Sequence, residues 1–313
     1  MEPLVILTGP TAVGKTSLSL SLAKVIGGEI ISADSMQVYR HMDIGTAKLP
    51  KEAMEGVPHH LIDCLSPDEP FSVAQFRQMA TEAMEGVYRR GHIPILVGGT
   101  GFYIQSVLYD VSFEDEEDDG YREELERQAA NGGAEELYDR LRALDPASAE
   151  AIHPNNVKRV IRALTYYHFH QAPISAHNEA QRKRQSAYNS AYFVLTRERG
   201  ELYERINERV EEMFAEGLLE EVRHLTELGY DRATVAMQGL GYKELLAYFR
   251  GEATLAEAKE RIKRETRHFA KRQLTWFRRE KETIWFDRSE RSEQDILTEM
   301  LQILRQKEIL HVG

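Results

Sequence analysis

A single cysteine, Cys64, stands in the 313-residue chain. That excludes a disulfide framework and a cysteine-rich zinc site, and it points to a reducing setting. No apolar run is long enough to span a bilayer, and Met1 is followed within three residues by what reads as a structural strand, without a basic leader or cleavage site. A cytoplasmic protein with no membrane partner is expected. Histidines at metal-ligand spacing are also lacking. His59 and His60 are adjacent, so in a strand they face opposite sides and read as satisfied structural histidines. There is no internal repeat and no low-complexity linker, and 42% hydrophobic residues suffice for one large domain or two modest ones.

An overall basic excess is missing too: the net charge is −11, which at first argues against a nucleic-acid partner. The distribution says otherwise. Residues 110–150 hold 15 acidic and 4 basic side chains, which accounts for the whole deficit. Residues 258–281 hold 10 basic and 3 acidic ones, and residues 151–190 hold 6 and 1. A polyanion meets local patches, not the whole-chain sum. The acidic stretch 114–119 reads as a hinge kept off such a ligand.

What is present begins with a short β-branched run at residues 4–7, a buried strand closed by glycine. Helical spacing follows, with Leu18, Leu22 and Val25 at i, i+4 and i+7 and Gly27-Gly28 ending the helix. Ile30-Ile31 makes a second strand, residues 60–63 a short third, residues 73–90 an amphipathic helix and residues 93–97 a fourth strand. Strands alternating with helices indicate a parallel sheet covered on both faces. Strand signals then vanish, and residues 121–170 read as short helices. A strand returns at residues 191–195, long helices at 198–228 (broken near Gly217) and 254–281, and a last strand at Trp285-Phe286. The expected fold is α/β: a P-loop-type parallel sheet flanked by helices, with an inserted all-helical domain. Residues 1–112 form the first part of the core, 113–190 the insertion, and 191–313 the mostly helical return to the core.

Gly9-Pro10-Thr11-Ala12-Val13-Gly14-Lys15-Thr16 matches G-x-x-x-x-G-K-[ST] between a strand and a helix. The glycines let backbone N–H groups converge on phosphate oxygens, and the helix N-terminus adds positive potential. Lys15 neutralises a terminal phosphate, and Thr16 can hold Mg²⁺. A nucleotide triphosphate and a kinase-like reaction are the default. However, the strand at 93–97 ends in Gly-Gly-Thr, without the aspartate of a usual Walker-B strand. Asp34, at the carboxyl end of the second strand, lies on the edge where open α/β sheets bind ligands, although its spacing also suits a helix cap.

Further motifs follow in order: SADSMQVYRHMDIGTAK at Ser32, PHHLID at Pro58, VGGTGFY at Val97, HPNNVKRVIRAL at His153, an arginine-bearing run from Leu202 to Met213, QGLGYKE at Gln238 and AKRQLTWFRR at Ala270. Together with GPTAVGKT they resemble the tRNA dimethylallyltransferases (tRNA isopentenyltransferases), over nearly the whole chain. The resemblance implies transfer of a dimethylallyl group from dimethylallyl diphosphate to the exocyclic N6 amine of the adenine 3′-adjacent to the anticodon in tRNA, releasing diphosphate. It also implies that the P-loop holds the donor diphosphate, not ATP, with Mg²⁺ as cofactor. The target base is flipped into a channel, and the insertion embraces the anticodon stem-loop. A monomer is expected.

By the same resemblance Asp34 is the general base and Thr100 lies close to the target base. Arg205 and Arg209, four apart on one helix face, match the arginine-bearing helix; one of them touches the diphosphate, and their alternative is surface pairing with Glu201, Glu208 or Glu212. The tRNA-contacting positions implied are Asp34, Ser35, Met36, Gln37 and Thr100, then Arg122, then Lys158, Arg159 and Arg162, then Gln238, Gly239 and Lys243. Gln37 can pair with a base edge, and the insertion's basic residues suit phosphates. Lys158 stands where the family pattern often has glutamine, and Gln238 where it often has arginine. Lys271, Arg272, Gln273 and Trp276 form a cationic–aromatic helix segment that suits either a solvated face or a ligand surface. Two other readings stay open: an isopentenyltransferase on free adenine nucleotides or a small-molecule kinase, and a non-catalytic P-loop protein that binds RNA.

Overall fold

The computed structural model describes residues 1–109, 119–182 and 185–310. Six strands form one parallel sheet: β1 (Pro3–Thr8), β2 (Gly28–Ser32), β3 (His59–His60), β4 (Ile93–Gly98), β5 (Asn189–Thr196) and β6 (Thr283–Asp287), in the order β3-β2-β4-β1-β5-β6. From β1 the chain runs outward through β2 and β3, returns to insert β4 beside β1, and only then builds the other side. The strand order reverses at the carboxyl ends of β1, β4 and β2, where such sheets open a ligand crevice.

Both faces of β1 are covered. Leu4 and Ile6 enter one core with α2 (Val73–Arg89) and α3 (Gly101–Leu108). Val5 and Leu7 enter another with α1 (Lys15–Ile26). All four are fully buried, so the strand is a continuous apolar run without alternation. Each contributes roughly 2 kcal/mol of transfer free energy. Helix α2 opens on a capping box: Ser72 accepts from Gln75 N–H, and the Gln75 side chain accepts from Ser72 N–H.

Contact grouping divides the chain into two compact units, Met1–Asp110 with Ser186–Gly313, and Val111–Gln185. Residues 186–190 group with the sheet because β5 begins at Asn189 and Ala187 N–H donates to Leu108 O (3.2 Å). The second unit contains α4 (Tyr121–Gln128), α5 (Ala134–Leu144), α6 (Pro146–Ala151), α7 (Val157–His170) and α8 (Ile174–Arg182), around Leu125, Leu137, Leu141, Val160, Ile161 and Leu164. Its buried Asp145 caps α6 and accepts from Ser148 N–H (3.0 Å), Ser175 N–H (3.0 Å) and Ser175 Oγ (2.6 Å). Burial alone would raise its pKa; these bonds outweigh that and hold it below the usual range. The acidic stretch, apart from Asp119, lies outside the described residues. Asp119 accepts from Tyr121 N–H and pairs with His168 Nε2 (2.7 Å).

The returning chain forms α9 (Arg199–Glu216), α10 (Leu218–Glu227), α11 (Tyr242–Phe249), α12 (Leu255–Phe277) and α13 (Glu293–Gln306). Three expectations need correction. The strand foreseen at residues 60–63 shrinks to His59–His60, because Leu61 and Asp63 take left-handed φ values of 62° and 55° and turn the chain. Val25, placed by spacing with Leu18 and Leu22, is 58% exposed; the last turn of α1 meets the core through Ala23 and Ile26 instead. Helix α12 ends at Phe277, short of residue 281. Helices α3, α8, α11 and α13 are additional to the elements read from the sequence. Among the described residues no helix is long and apolar enough to cross a membrane.

Candidate active site

Between β1 and α1 the loop doubles back on itself. Gly14 has φ 96°, a conformation side chains resist, and it caps α1 with no side-chain hydrogen bond, leaving the helix's first N–H groups open to an anion. Ala12 also takes a positive φ (62°), strain that a non-glycine residue bears at a cost of about 1–2 kcal/mol. Lys15 Nζ donates to Gly9 O (3.0 Å) and Pro10 O (2.8 Å), which uses two of its three protons. Burial, reinforced by Arg209 and only partly opposed by Asp34, lowers its pKa to about 8.

Two arginines brace the loop from outside. Arg205 Nε donates to Ala12 O (3.1 Å) and Arg197 Nε to Val13 O (3.3 Å), while Arg197 also pairs with Glu201. Neither Arg205 nor Arg209 forms an ion pair with another described residue within 4.0 Å, so the surface pairing considered for them is not what the fold uses. Arg209 points elsewhere. Its guanidinium pKa is lowered by burial, with Asp34 the first charge opposing the shift.

A cavity of about 270 Å³ gathers the segments. Its lining includes Thr11 and Ala12 of the loop, Asp34, Ser35 and Met36 after β2, Thr100 before α3, Arg209 of α9 and Gly239 before α11. Among the lining residues Asp34 is the acid and Arg209 the cation; Met36, Val210, Met213, Leu218, Leu240 and Phe269 supply an apolar wall. That is just below the usual range for small-molecule sites, about 300–1,000 Å³. Asp34 caps no helix; its Oδ1 accepts from Met36 N–H (2.9 Å) in a tight turn. Close backbone approach holds Asp34 near Thr100: Ala33 N–H donates to Val97 O (2.8 Å), and Thr100 N–H to Ala33 O (3.2 Å). A Cβ on Gly98 would stand 2.2 Å from Ala33 O, so only glycine permits this approach.

The other sequence-flagged residues are placed as follows. Gln37 spends its amide inside the protein, with Oε1 accepting from Ser32 Oγ (3.0 Å) and Nε2 donating to Thr46 O and Ala47 O (3.2 and 3.4 Å); a base edge would have to displace these bonds. Gln238 and Lys243 line a separate depression of about 360 Å³ with Arg232, Arg250 and Arg261. Thr16 is exposed at the start of α1. Arg122 pairs with Glu126 (3.1 Å) within the second unit, where Lys158, Arg159 and Arg162 are exposed on the first turns of α7. Lys271 and Arg272 face solvent, whereas Gln273 is buried. Of the histidines weighed as structural, His60 Nε2 lies 2.6 Å from Glu29 and His59 Nδ1 2.8 Å from Val57 O.

Sequence reasoning did not single out Thr46, Met213, Tyr242 or Phe269, which also line the cavity, nor Arg197. Thr46, Tyr242 and Met213 sit inside the DIGTAK motif, the QGLGYKE motif and the Leu202–Met213 run, signals without an assigned role at those positions; Phe269 and Arg197 carry none. Among the described residues no group of three or more His, Cys, Asp or Glu could hold a metal. The Thr16 hydroxyl at the start of α1 is an oxygen donor of the kind that Mg²⁺ takes.

Known proteins resemble this chain over most of its length. Residues 37–280 match the family model "IPP transferase", and residues 2–64 match "Isopentenyl transferase". The tRNA dimethylallyltransferase of Lachnoclostridium phytofermentans is 58% identical over 312 residues, 99% of this chain and 100% of that protein. The solved tRNA isopentenylpyrophosphate transferase of Bacillus halodurans is 45% identical with a TM-score of 0.75, covering 98% of this chain and 97% of that one. A eukaryotic dimethylallyltransferase solved acting on tRNA is 29% identical with a TM-score of 0.82, covering 99% and 79%.

Proposed function

Because this chain belongs to the IPP transferase family, we propose that it transfers a dimethylallyl group from dimethylallyl diphosphate to the N6 amine of the adenine 3′-adjacent to the anticodon in tRNA, releasing diphosphate. The observation that carries the reading is the single cavity in which a carboxylate, a P-loop, a half-buried arginine and an apolar wall meet. The apolar wall suits a five-carbon chain.

The adenine amine is a weak nucleophile because its lone pair is shared with the ring. Asp34, tethered by Met36 N–H, takes the amine proton as the N6–C1 bond forms and the C1–O bond breaks. Thr100 orients the amine. The electron pair of the broken bond leaves with the diphosphate, whose charge is met by the loop N–H groups, Lys15 and Arg209. Arg205 acts through the loop it braces. Thr16 would hold Mg²⁺, which supplies further neutralisation of the leaving diphosphate. The apolar wall keeps water from the allylic carbon. Reaching the base requires flipping, which is cheap in an unpaired loop, and the exposed Lys158, Arg159 and Arg162 suit the stem-loop phosphates. The protein is read as a monomer that shares the cytoplasm with its tRNA.

Incubation with Mg²⁺, labelled dimethylallyl diphosphate and unmodified tRNA should place label in the tRNA. Label in free AMP alone, or ATP turnover without transfer, would overturn the reading. Asp34→Ala should bind tRNA near normally and transfer about 10²–10⁴-fold more slowly; parental-rate transfer removes it as the base.

A further inference from the structure

The cavity's parts come from segments far apart in the chain, and one buried side chain joins two of them directly. Gln273, on α12 and 6% exposed, accepts from Thr11 N–H through Oε1 (3.0 Å) and donates from Nε2 to Gly99 O (3.0 Å). The orientation of the amide is unambiguous, since a peptide N–H can only donate and a carbonyl can only accept. A Cβ on Gly99 would stand 2.1 Å from Gln273 Nε2, and one on Gly101 2.2 Å from the Trp276 ring, so the backbone before α3 is shaped to receive this face of α12. From Gly99 the connection continues through Thr100 N–H to Ala33 O (3.2 Å), next to Asp34.

We propose that Gln273 is a positioning residue for prenyl transfer, holding the diphosphate loop and the Thr100–Asp34 side of the cavity in one register. The proposal rests on the reading of this cavity as the transfer site. It follows from what the position demands. The bridge needs an acceptor atom and a separate donor atom at the same end of one side chain, and among side chains of this length an amide supplies both without charge at neutral pH. A carboxylate at this position would oppose Gly99 O, acceptor to acceptor. A cation would oppose Thr11 N–H and add repulsion beside Lys15. The bridge also withdraws Thr11 N–H from the donors a diphosphate can use, leaving the later N–H groups of the loop to the anion. Reacting atoms must be held within a few tenths of an ångström, so slack between leaving group and nucleophile is costly in rate.

Two nearly isosteric variants test this. Gln273→Met removes both bonds; Gln273→Glu keeps the acceptor for Thr11 and restores the donor only when its carboxyl is protonated. For Gln273→Met, kcat for transfer to tRNA should fall about tenfold or more, and calorimetric affinity for inorganic diphosphate about tenfold. For Gln273→Glu, kcat relative to the parental protein at each pH should recover as pH falls from about 9 to about 6. A Gln273→Met variant with parental kcat and parental diphosphate affinity overturns the proposal. So does an equal, pH-independent loss in both variants that tracks a lowered melting temperature, the signature of a merely structural residue. If the parental protein transfers nothing, the function reading fails. The diphosphate arm then still decides whether Gln273 sets the loop.

Discussion

Glu29 near the start of β2 and Asp34 just beyond its end are five residues apart, and the two ends of that strand handle buried charge in opposite ways. Glu29 is 1% exposed and is answered on every side: Arg90 Nε and Nη2 donate at 2.8 and 2.7 Å, and His60 and His92 lie at 2.6 and 2.7 Å. The Arg90 bonds, with help from both histidines, outweigh burial and hold its pKa at about 2. At the other end Lys15 and Arg209 both have pKa values lowered by burial, Arg209 adds to the shift of Lys15, and Asp34 is the first carboxylate opposing the shift of each. The first end is a finished network. The second holds positive charge in excess, an arrangement that stays unfavourable until an anion arrives. The satisfied charge serves the fold, and the unsatisfied ones serve the ligand.

The comparison breaks first at Lys15. Lys15→Ala should lower kcat/KM for transfer by about 10³-fold, because it removes charge where the leaving group develops it. The melting temperature should stay within about 2 °C of the parental value or rise, since an unfavourable cation has gone. A large loss of stability would mean the site is as structural as the Glu29 cluster.

Glu29→Gln should do the reverse, costing about 2 kcal/mol of stability, with Arg90 half exposed and so partly screened, and leaving transfer per folded molecule near parental. Glu29's folded pKa is depressed, so its contribution is full above the unfolded value of 4.5 and is lost as pH falls toward about 2. Denaturant titrations of the two proteins should therefore differ at neutral pH and converge over that acid window. A gap independent of pH would assign the effect to packing.

The smallest effect concerns protons at the loop. Lys15 titrates near 8 in the free protein, and only its protonated form attracts an anion strongly. Affinity for inorganic diphosphate should thus weaken above that pH by up to about tenfold per unit, and in Lys15→Ala the dependence should disappear. Isothermal titration at several pH values reads this directly.

The sheet was legible because its signals are local. An apolar run closed by glycine marks β1 and β4, and the P-loop pattern here falls between a strand and a helix. The extent of the third strand was not, since two left-handed residues after His60 override an apolar Leu-Ile pair. Asp34, Thr100 and the loop were found as motifs, and the structure brings them into one cavity. Gln37 shows the limit: its type suits a base edge, yet its amide is engaged by Ser32, Thr46 and Ala47.

The chain alone determined the class of ligand and the segments that meet it. Phosphate binding needs a contiguous loop, and a contiguous loop is written in consecutive residues. Tertiary structure decided the division of labour among like residues. Arg205 and Arg209 share a helix face and a charge, but only folding sends one to the Ala12 carbonyl and the other into the cavity. Gln273 meets Thr11 across 262 residues, a contact made by the packing of α12 against the loops that follow the central strands β1 and β4. No local pattern encodes it, because hydrogen bonds depend on distance in space, and distance along the chain does not set that.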